Sequence, residues 1–132
     1  MCSNKVLVVD DEPAVRSAIS TALQSHGYAV DACAGGDEAL AAIRSDSPDL
    51  MLLELAPETE GLRVLQTLQT GPWWKYGKIP TIVLNPAKDG IRRRCYQLER
   101  SFELGAEDYL EKPIRPEALI DIVGKAFGRH YS

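Results

Sequence analysis

The sequence lacks the hallmarks of several protein classes. No apolar run approaches the roughly 20 residues that a membrane-spanning helix needs, so we expect no membrane association. Three cysteines, odd in number and far apart, argue against a disulfide framework or a thiolate metal site. Neither sign of charge dominates, because 15 basic and 19 acidic residues leave a net charge of −4. That balance weighs against direct binding of nucleic acid, and we expect a reducing, cytoplasmic setting.

The length and composition suit one globular domain. The chain has 132 residues, of which 45% are hydrophobic and 26% are charged. Domains most often contain roughly 100–150 residues, and these fractions are ordinary for a soluble fold. We therefore expect a single domain over residues 1–132, either free-standing or excised from a longer protein.

Two hydrophobic periods alternate along the chain. Short continuous apolar runs, typical of strands buried on both faces of a parallel sheet, cover residues 6–9, 28–33, 50–53, 79–84 and 109–110. Apolar residues at the helix spacing follow them within residues 15–23, 39–43, 62–68, 91–104 and 118–127. Five strands alternating with five helices predict a doubly wound α/β fold with a parallel sheet.

Polar side chains follow the predicted strands. Asp10 and Asp11 come after the first strand, Glu54 after the third, Asn85 after the fourth and Lys112 after the fifth. Sites in open α/β sheets lie at the carboxyl ends of the strands. Carboxylate oxygens suit Mg²⁺, and a lysine can neutralise them or hold an anion. The pattern predicts a place for metal-assisted phosphoryl transfer.

Four segments then resemble the receiver domain of bacterial two-component response regulators. They are VLVVDDEP at residues 6–13, PDLMLL at 48–53, LGAEDYL at 104–110 and KP at 112–113. They occur in order over about residues 4–128. The resemblance implies a flavodoxin-like, five-stranded sheet of order 2-1-3-4-5. It also implies a role in phosphorelay signalling and no enzymatic activity.

The resemblance assigns roles to individual positions. In this family an aspartate after the third strand accepts a phosphoryl group from a histidine kinase, and Glu54 holds that position here. Asp10 and Asp11 match the Mg²⁺ ligands, with Glu54 as a third. Asn85 and Lys112 match the positions that contact the phosphoryl group, and Tyr109 matches an aromatic switch residue. Pro113 matches a proline that follows a cis peptide bond.

Departures from the family pattern cluster at the strand ends. Glu54 replaces aspartate, two residues instead of three separate it from Pro57, and Asn85 replaces a hydroxyl residue. Pro86 lacks the backbone N–H that the family uses at that position. We therefore predict an atypical receiver, a pseudo-receiver, that acts through protein–protein contacts without ordinary aspartyl phosphorylation. We expect Mg²⁺ binding to be weak or absent.

Alternatives stay open at this point. A shifted alignment puts Leu53 at the acceptor position, which would leave no carboxylate there. A nearby carboxylate could still take phosphate in an Mg²⁺-dependent receiver. An unrelated flavodoxin-like binding module is a third reading, although Asp10 and Asp11 stand where a glycine-rich phosphate loop would be. Glu54 could be natural or an engineered phosphate mimic, and the short loop and Pro86 favour a natural residue.

Partners follow from the same resemblance. We expect a histidine kinase or a downstream effector, and a homodimer is an alternative through the face formed by the fourth helix, fifth strand and fifth helix.

The segment 71–77, with Trp73 and Trp74, is either a partner-binding patch or a loop whose tryptophans fold back over the third helix, and we favour the latter. Arg92–Arg94 form either a basic contact face or a solvated helix face.

Overall fold

The computed structural model describes residues 4–56, 60–85 and 91–131, with side chains from residue 96 onward in the last range. Within these ranges the strands are β1 (Lys5–Val9), β2 (Ala29–Cys33), β3 (Leu50–Glu54), β4 (Thr81–Asn85) and β5 (Asp108–Glu111). The helices are α1 (Pro13–Ser25), α2 (Gly36–Ser45), α3 (Gly61–Leu68), α4 (Ile91–Glu103) and α5 (Pro116–Tyr131). The predicted alternation is confirmed. A short 3₁₀ helix, Gly71–Tyr76, was not predicted.

All five strands are parallel, and their order is β2-β1-β3-β4-β5. The predicted flavodoxin-like order is therefore confirmed. The register pairs Val9 with Leu53, and Leu53 with Val83, so the central strands end at one level. Glu54 and Asn85 are the last residues of their strands rather than the first residues after them. This register brings the polar strand ends to a single edge of the sheet.

Both faces of the sheet are buried, and the middle residues of its central strands are apolar. One face packs with α2 and α3 around Leu7, Val9, Met51, Leu53 and Val83. The other packs with α1 and α5 around Val6, Val8, Leu50, Leu52 and Ile82. Among the described residues no helix has the length and apolar character needed to cross a membrane. The two cores fix the sheet, and the sheet fixes the edge where the polar groups meet.

A close approach of backbones sets the start of α3. Gly61 is buried, and a Cβ atom at this position would overlap the carbonyl oxygen of Glu54. The preceding residue, Glu60, has a left-handed conformation with φ of 53°. Only glycine lets α3 begin this near to the end of β3, so Gly61 helps to position the backbone of Glu54.

Gly61→Ala is expected to lower the free energy of unfolding by about 1–3 kcal/mol, because the new methyl group must push two backbones apart. The matched control is Gly128→Ala in α5, where a Cβ atom meets nothing within 4 Å. That change should raise the free energy of unfolding by roughly 0.5–1 kcal/mol, since alanine is the better helix former. Urea unfolding followed by circular dichroism measures both. Equal effects at the two positions would contradict the packing described here.

Candidate functional site

The turn between β1 and α1 carries the first acidic groups. Asp10 is completely buried. The backbone N–H of Asp10 donates to the carbonyl of Cys33 at 3.1 Å, and its Oδ1 accepts from the N–H of Glu12 at 2.9 Å. The guanidinium of Arg16 donates to the Asp10 carbonyl at 2.8 Å. These bonds hold the acidic turn in one conformation at the sheet edge.

Lys112 joins the carboxylates of three separate segments. Its Nζ donates to Oε2 of Glu54, lies 2.8 Å from Oδ2 of Asp10, and donates to Oε1 of Glu12 at 2.9 Å. Its side chain is 8% exposed, while those of Asp10 and Glu54 are 0% and 1% exposed. One buried ammonium is therefore shared among three carboxylates. The Lys112–Pro113 peptide bond is cis, as predicted.

The acidic cluster, defined as Asp10, Asp11, Glu12 and Glu54, has the donor chemistry of a divalent cation site. One carboxylate oxygen from each lies within 4.8 Å of the others. The N–H of Asp11 lies 3.5 Å from Oε1 of Glu54. Hard oxygen ligands suit Mg²⁺, and the single ammonium of Lys112 leaves the cluster with an excess of negative charge. The residues therefore fit a magnesium ion, with Lys112 as a competing internal cation.

Two pKa shifts describe the electrostatics of the cluster. Burial raises the pKa of Glu54 to about 7, and the neighbouring Asp11 and Asp10 add to that rise. The hydrogen bond from Lys112 lowers the Glu54 pKa but does not offset these causes. For Lys112 burial favours the neutral amine, yet contacts with Asp10, Glu54 and Glu12 together raise its pKa above the ordinary value. The lysine is thus firmly charged, whereas Glu54 is close to its protonation midpoint at neutral pH.

The remaining predicted positions lie around the cluster. Asn85 is 3% exposed, and within the described part of the chain its Oδ1 accepts no hydrogen bond. Its carbonyl accepts the N–H of Lys112 at 3.0 Å, which places Asn85 beside the lysine. Tyr109 lies outside the cluster. It is 42% exposed, and its ring meets that of Phe102 edge-on, with 6.3 Å between centroids.

The alignment alternatives differ in where they put a carboxylate. Leu53 is fully buried in the core beside α2 and α3, whereas the carboxylate of Glu54 lies at the sheet edge with Lys112.

The sequence analysis did not predict Glu12 as a contact of Lys112, although it is the third acid of an Asp-Asp-Glu run. Pro57, Pro86 and the side chains of Arg92–Arg94 lie outside the described residues.

A doubly wound sheet of this order, with an acidic pair, a third carboxylate and a lysine at its carboxyl edge, defines a receiver-type domain. The model of the response regulator receiver domain family matches residues 6–124. The chain belongs to this family, whose members are the receiver domains of two-component signalling systems.

Characterised relatives and solved structures agree with this assignment. The chain is 38% identical over 120 residues to the response regulator MprA of Mycobacterium tuberculosis H37Rv, covering 89% of this chain and 48% of that protein. It is 36% identical to the probable transcriptional regulator ycf27 of Porphyridium aerugineum over 120 residues, 90% of this chain and 46% of that protein. The chain spans about half the length of these curated relatives.

Solved structures of similar size also match. A putative response regulator from Chloroflexus aurantiacus superimposes with a TM-score of 0.81 at 29% identity, covering 97% of this chain and all of that one. The chemotaxis protein CheY4 of Vibrio cholerae gives a TM-score of 0.80 at 26% identity, covering 95% of this chain and 99% of that chain. Both matches extend over nearly the whole chain.

Proposed function

We propose that this chain is an atypical receiver, a single domain over residues 1–132, that signals through protein–protein contacts without ordinary aspartyl phosphorylation. The observation that carries the proposal is the contact between Lys112 and Glu54. Glu54 holds the phosphoacceptor position and already engages the lysine assigned to phosphoryl contact. The domain is proposed to act by binding partners and not by turning over a substrate.

The chemistry of acceptor phosphorylation supports this reading. In an ordinary receiver a carboxylate oxygen attacks phosphorus, an acyl phosphate forms, and the imidazole of the donor histidine leaves. The extra methylene of Glu54 moves its carboxylate by roughly 1.5 Å, and a misplacement near 1 Å can cost about a hundredfold in rate. Burial also raises the pKa of Glu54 to about 7, so a large share of the group carries a proton at neutral pH and is a poor nucleophile.

Magnesium has a reduced role in this proposal. Asp10, Asp11 and Glu54, with Glu12 beside them, are the residues that would hold the ion. When bound, Mg²⁺ would neutralise the carboxylates and the oxygens of an incoming phosphoryl group. Lys112 already supplies a positive charge to three of these four carboxylates. We therefore expect Mg²⁺ to bind more weakly than in receivers with an aspartate acceptor, or not at all.

The output surface is proposed to lie on α4, β5 and α5, where a signalling partner or a second copy of the chain would bind. Three exposed aromatic side chains support this choice. Tyr96 is 64%, Phe102 40% and Tyr109 42% exposed, and aromatic residues are enriched at protein interfaces. Tyr109 would report the state of the domain through its contact with Phe102. In this scheme Lys112 and Asn85 keep their phosphoryl-contact positions without a phosphoryl group to bind.

A second candidate keeps the phosphoryl chemistry. An Mg²⁺-dependent receiver could accept the group on Asp11, because this carboxylate lies in the cluster yet is only partly buried. A histidine kinase would then be the donor. Family membership weighs against the third reading, an unrelated flavodoxin-like binding module.

The experiment that tests the proposal is intact mass spectrometry after incubation with Mg²⁺ and a small acyl phosphate. We expect no phosphoryl adduct on the parent protein. Glu54→Asp is the companion variant, because it restores the family acceptor without changing charge. An adduct on this variant alone would locate the block at Glu54, and an adduct on neither would extend the block to the rest of the site. A stoichiometric adduct on the parent would overturn the proposal, and peptide mapping would then distinguish Glu54 from Asp11.

A further inference from the structure

The two adjacent tryptophans of the 3₁₀ helix have opposite environments. Trp73 packs against the core beside α2 and α3. The guanidinium of Arg44 lies over its ring at 5.2 Å, and the ring of Tyr76 lies 5.6 Å away. Trp74, by contrast, is 74% exposed. The prediction that the tryptophans fold back is therefore confirmed for Trp73 and wrong for Trp74.

The segment that displays Trp74 is firmly built. We call residues 71–78 the tryptophan platform. The N–H of Gly77 donates to the carbonyl of Trp74 at 3.2 Å, and the N–H of Ile79 donates to that of Tyr76 at 3.2 Å. The side chain of Gln69 donates to the Gly77 carbonyl at 3.3 Å. Because the platform is anchored before any partner arrives, little ordering entropy remains to be lost on binding.

Basic side chains without an ion-pair partner among the described residues lie on or beside the platform. Arg44 lies over the Trp73 ring at 5.2 Å and Lys75 over the Tyr76 ring at 5.1 Å, and Lys78 ends the segment. Arg44, Lys75 and Lys78 are exposed, and none of them forms an ion pair with another described residue. Most other lysines and arginines with described side chains are paired with a carboxylate, namely Lys5, Arg63, Arg100, Lys112, Lys125 and Arg129. Residues 71–78 contain no acid. In a chain of net charge −4, the platform is a locally basic segment that carries an exposed indole.

We propose that the tryptophan platform binds an acidic segment of a partner protein, with an apolar side chain of that segment covering the indole of Trp74. Its carboxylates would face Lys75, Lys78 and Arg44. Tryptophan and arginine are the commonest energetic anchors of protein interfaces. Three cations on an acidic chain are few for nucleic acid, whose affinity depends on many phosphate contacts. A single exposed tryptophan offers little apolar area to a membrane, which usually receives a whole apolar helix face.

The test uses the two indole N–H signals of the ¹⁵N-labelled full chain, assigned with Trp74→Phe. The probe is a blocked peptide of alternating glutamate and leucine. We expect the Trp74 indole and the Gly77 and Lys78 amides to shift in a saturable way, while the Trp73 indole stays in place. Trp74→Ala should weaken binding about tenfold or more, as at an interface anchor. Lys75→Glu combined with Lys78→Glu should abolish the salt dependence of binding along with most of the affinity.

Matched controls keep the outcome decisive. Arg63→Gln removes a positive charge from α3, where the side chain is 42% exposed and lies outside the platform, and should leave peptide binding unchanged. A lysine–leucine peptide should not shift Trp74. The proposal is overturned if the acidic peptide leaves Trp74 unmoved, or if the lysine peptide binds equally well. Oligothymidine or phosphatidylglycerol vesicles that bind through Trp74 in place of the acidic peptide would overturn it as well. The variants lie far from Lys112, so failure here would not touch the proposed function.

Discussion

Replacing Lys112 by methionine is expected to lower the free energy of unfolding by about 3–5 kcal/mol at pH 8, as for other buried pairs broken on one side. The lysine is the positive partner of Asp10 and Glu54, which are 0% and 1% exposed. Methionine replaces the aliphatic stem of lysine without its charge, so both carboxylates would stay buried without their cation. Urea unfolding at pH 8 in the presence of a chelator measures the loss.

The control for this experiment is Lys125→Met. Lys125 pairs with Asp121 at 3.1 Å, but both side chains are about two-thirds exposed, at 66% and 65%. Exposed pairs of this kind contribute about 0.5 kcal/mol or less. Adding Glu54→Gln to Lys112→Met should recover part of the loss, because one of the two stranded charges disappears. A cost of Lys112→Met no larger than that of the control would rule out the shared ion pair.

The second large effect is a dependence of stability on pH that originates at Glu54. Burial raises its pKa from the ordinary 4.5 to about 7. Between about pH 4.5 and pH 7, Glu54 therefore keeps its proton in the folded state but has released it in the unfolded state. Stability from this group is fully present below about pH 4.5 and is lost as the pH rises through about 7. We expect the free energy of unfolding to fall by about 2–3 kcal/mol between pH 5 and pH 8 relative to Glu54→Gln.

Urea unfolding of the parent and of Glu54→Gln, at several pH values and with divalent cations removed, gives this difference directly. The glutamine variant lacks the titration, so subtracting its curve isolates Glu54 from the other ionisable groups. A difference that stays constant from pH 5 to pH 8 would show that Lys112 keeps Glu54 ionised throughout. If the free energy of unfolding of the parent instead rose with pH relative to that of Glu54→Gln, the ionised form of Glu54 would stabilise the fold.

Much of the site could be predicted from the sequence because parallel strands end at one edge. The strand pattern alone located Asp10, Glu54 and Lys112 at that edge, and the register places them within contact. Sites in open α/β sheets lie at the carboxyl ends of the strands. The sequence position of a polar residue directly after a predicted strand therefore predicts its place in the structure.

Other features depended on packing that no local pattern encodes. The contact between Glu12 and Lys112 joins residues 100 positions apart and needs the turn after β1 to point its third acid back over the sheet. Trp73 and Trp74 are identical neighbours, yet one is partly buried against the core and the other is exposed. Which of them turns inward depends on where Arg44 and Tyr76 come to lie. The rise in the Glu54 pKa likewise follows from burial and shared neighbours and not from residue type.

The acidic cluster and the tryptophan platform lie at opposite ends of the strands, one beyond β3 and β5 and the other before β4. A five-residue strand is roughly 16 Å long, so the two sites are separated by the length of the strands. The two ends are therefore far enough apart for a partner at the platform and a cation at the cluster to be bound at the same time.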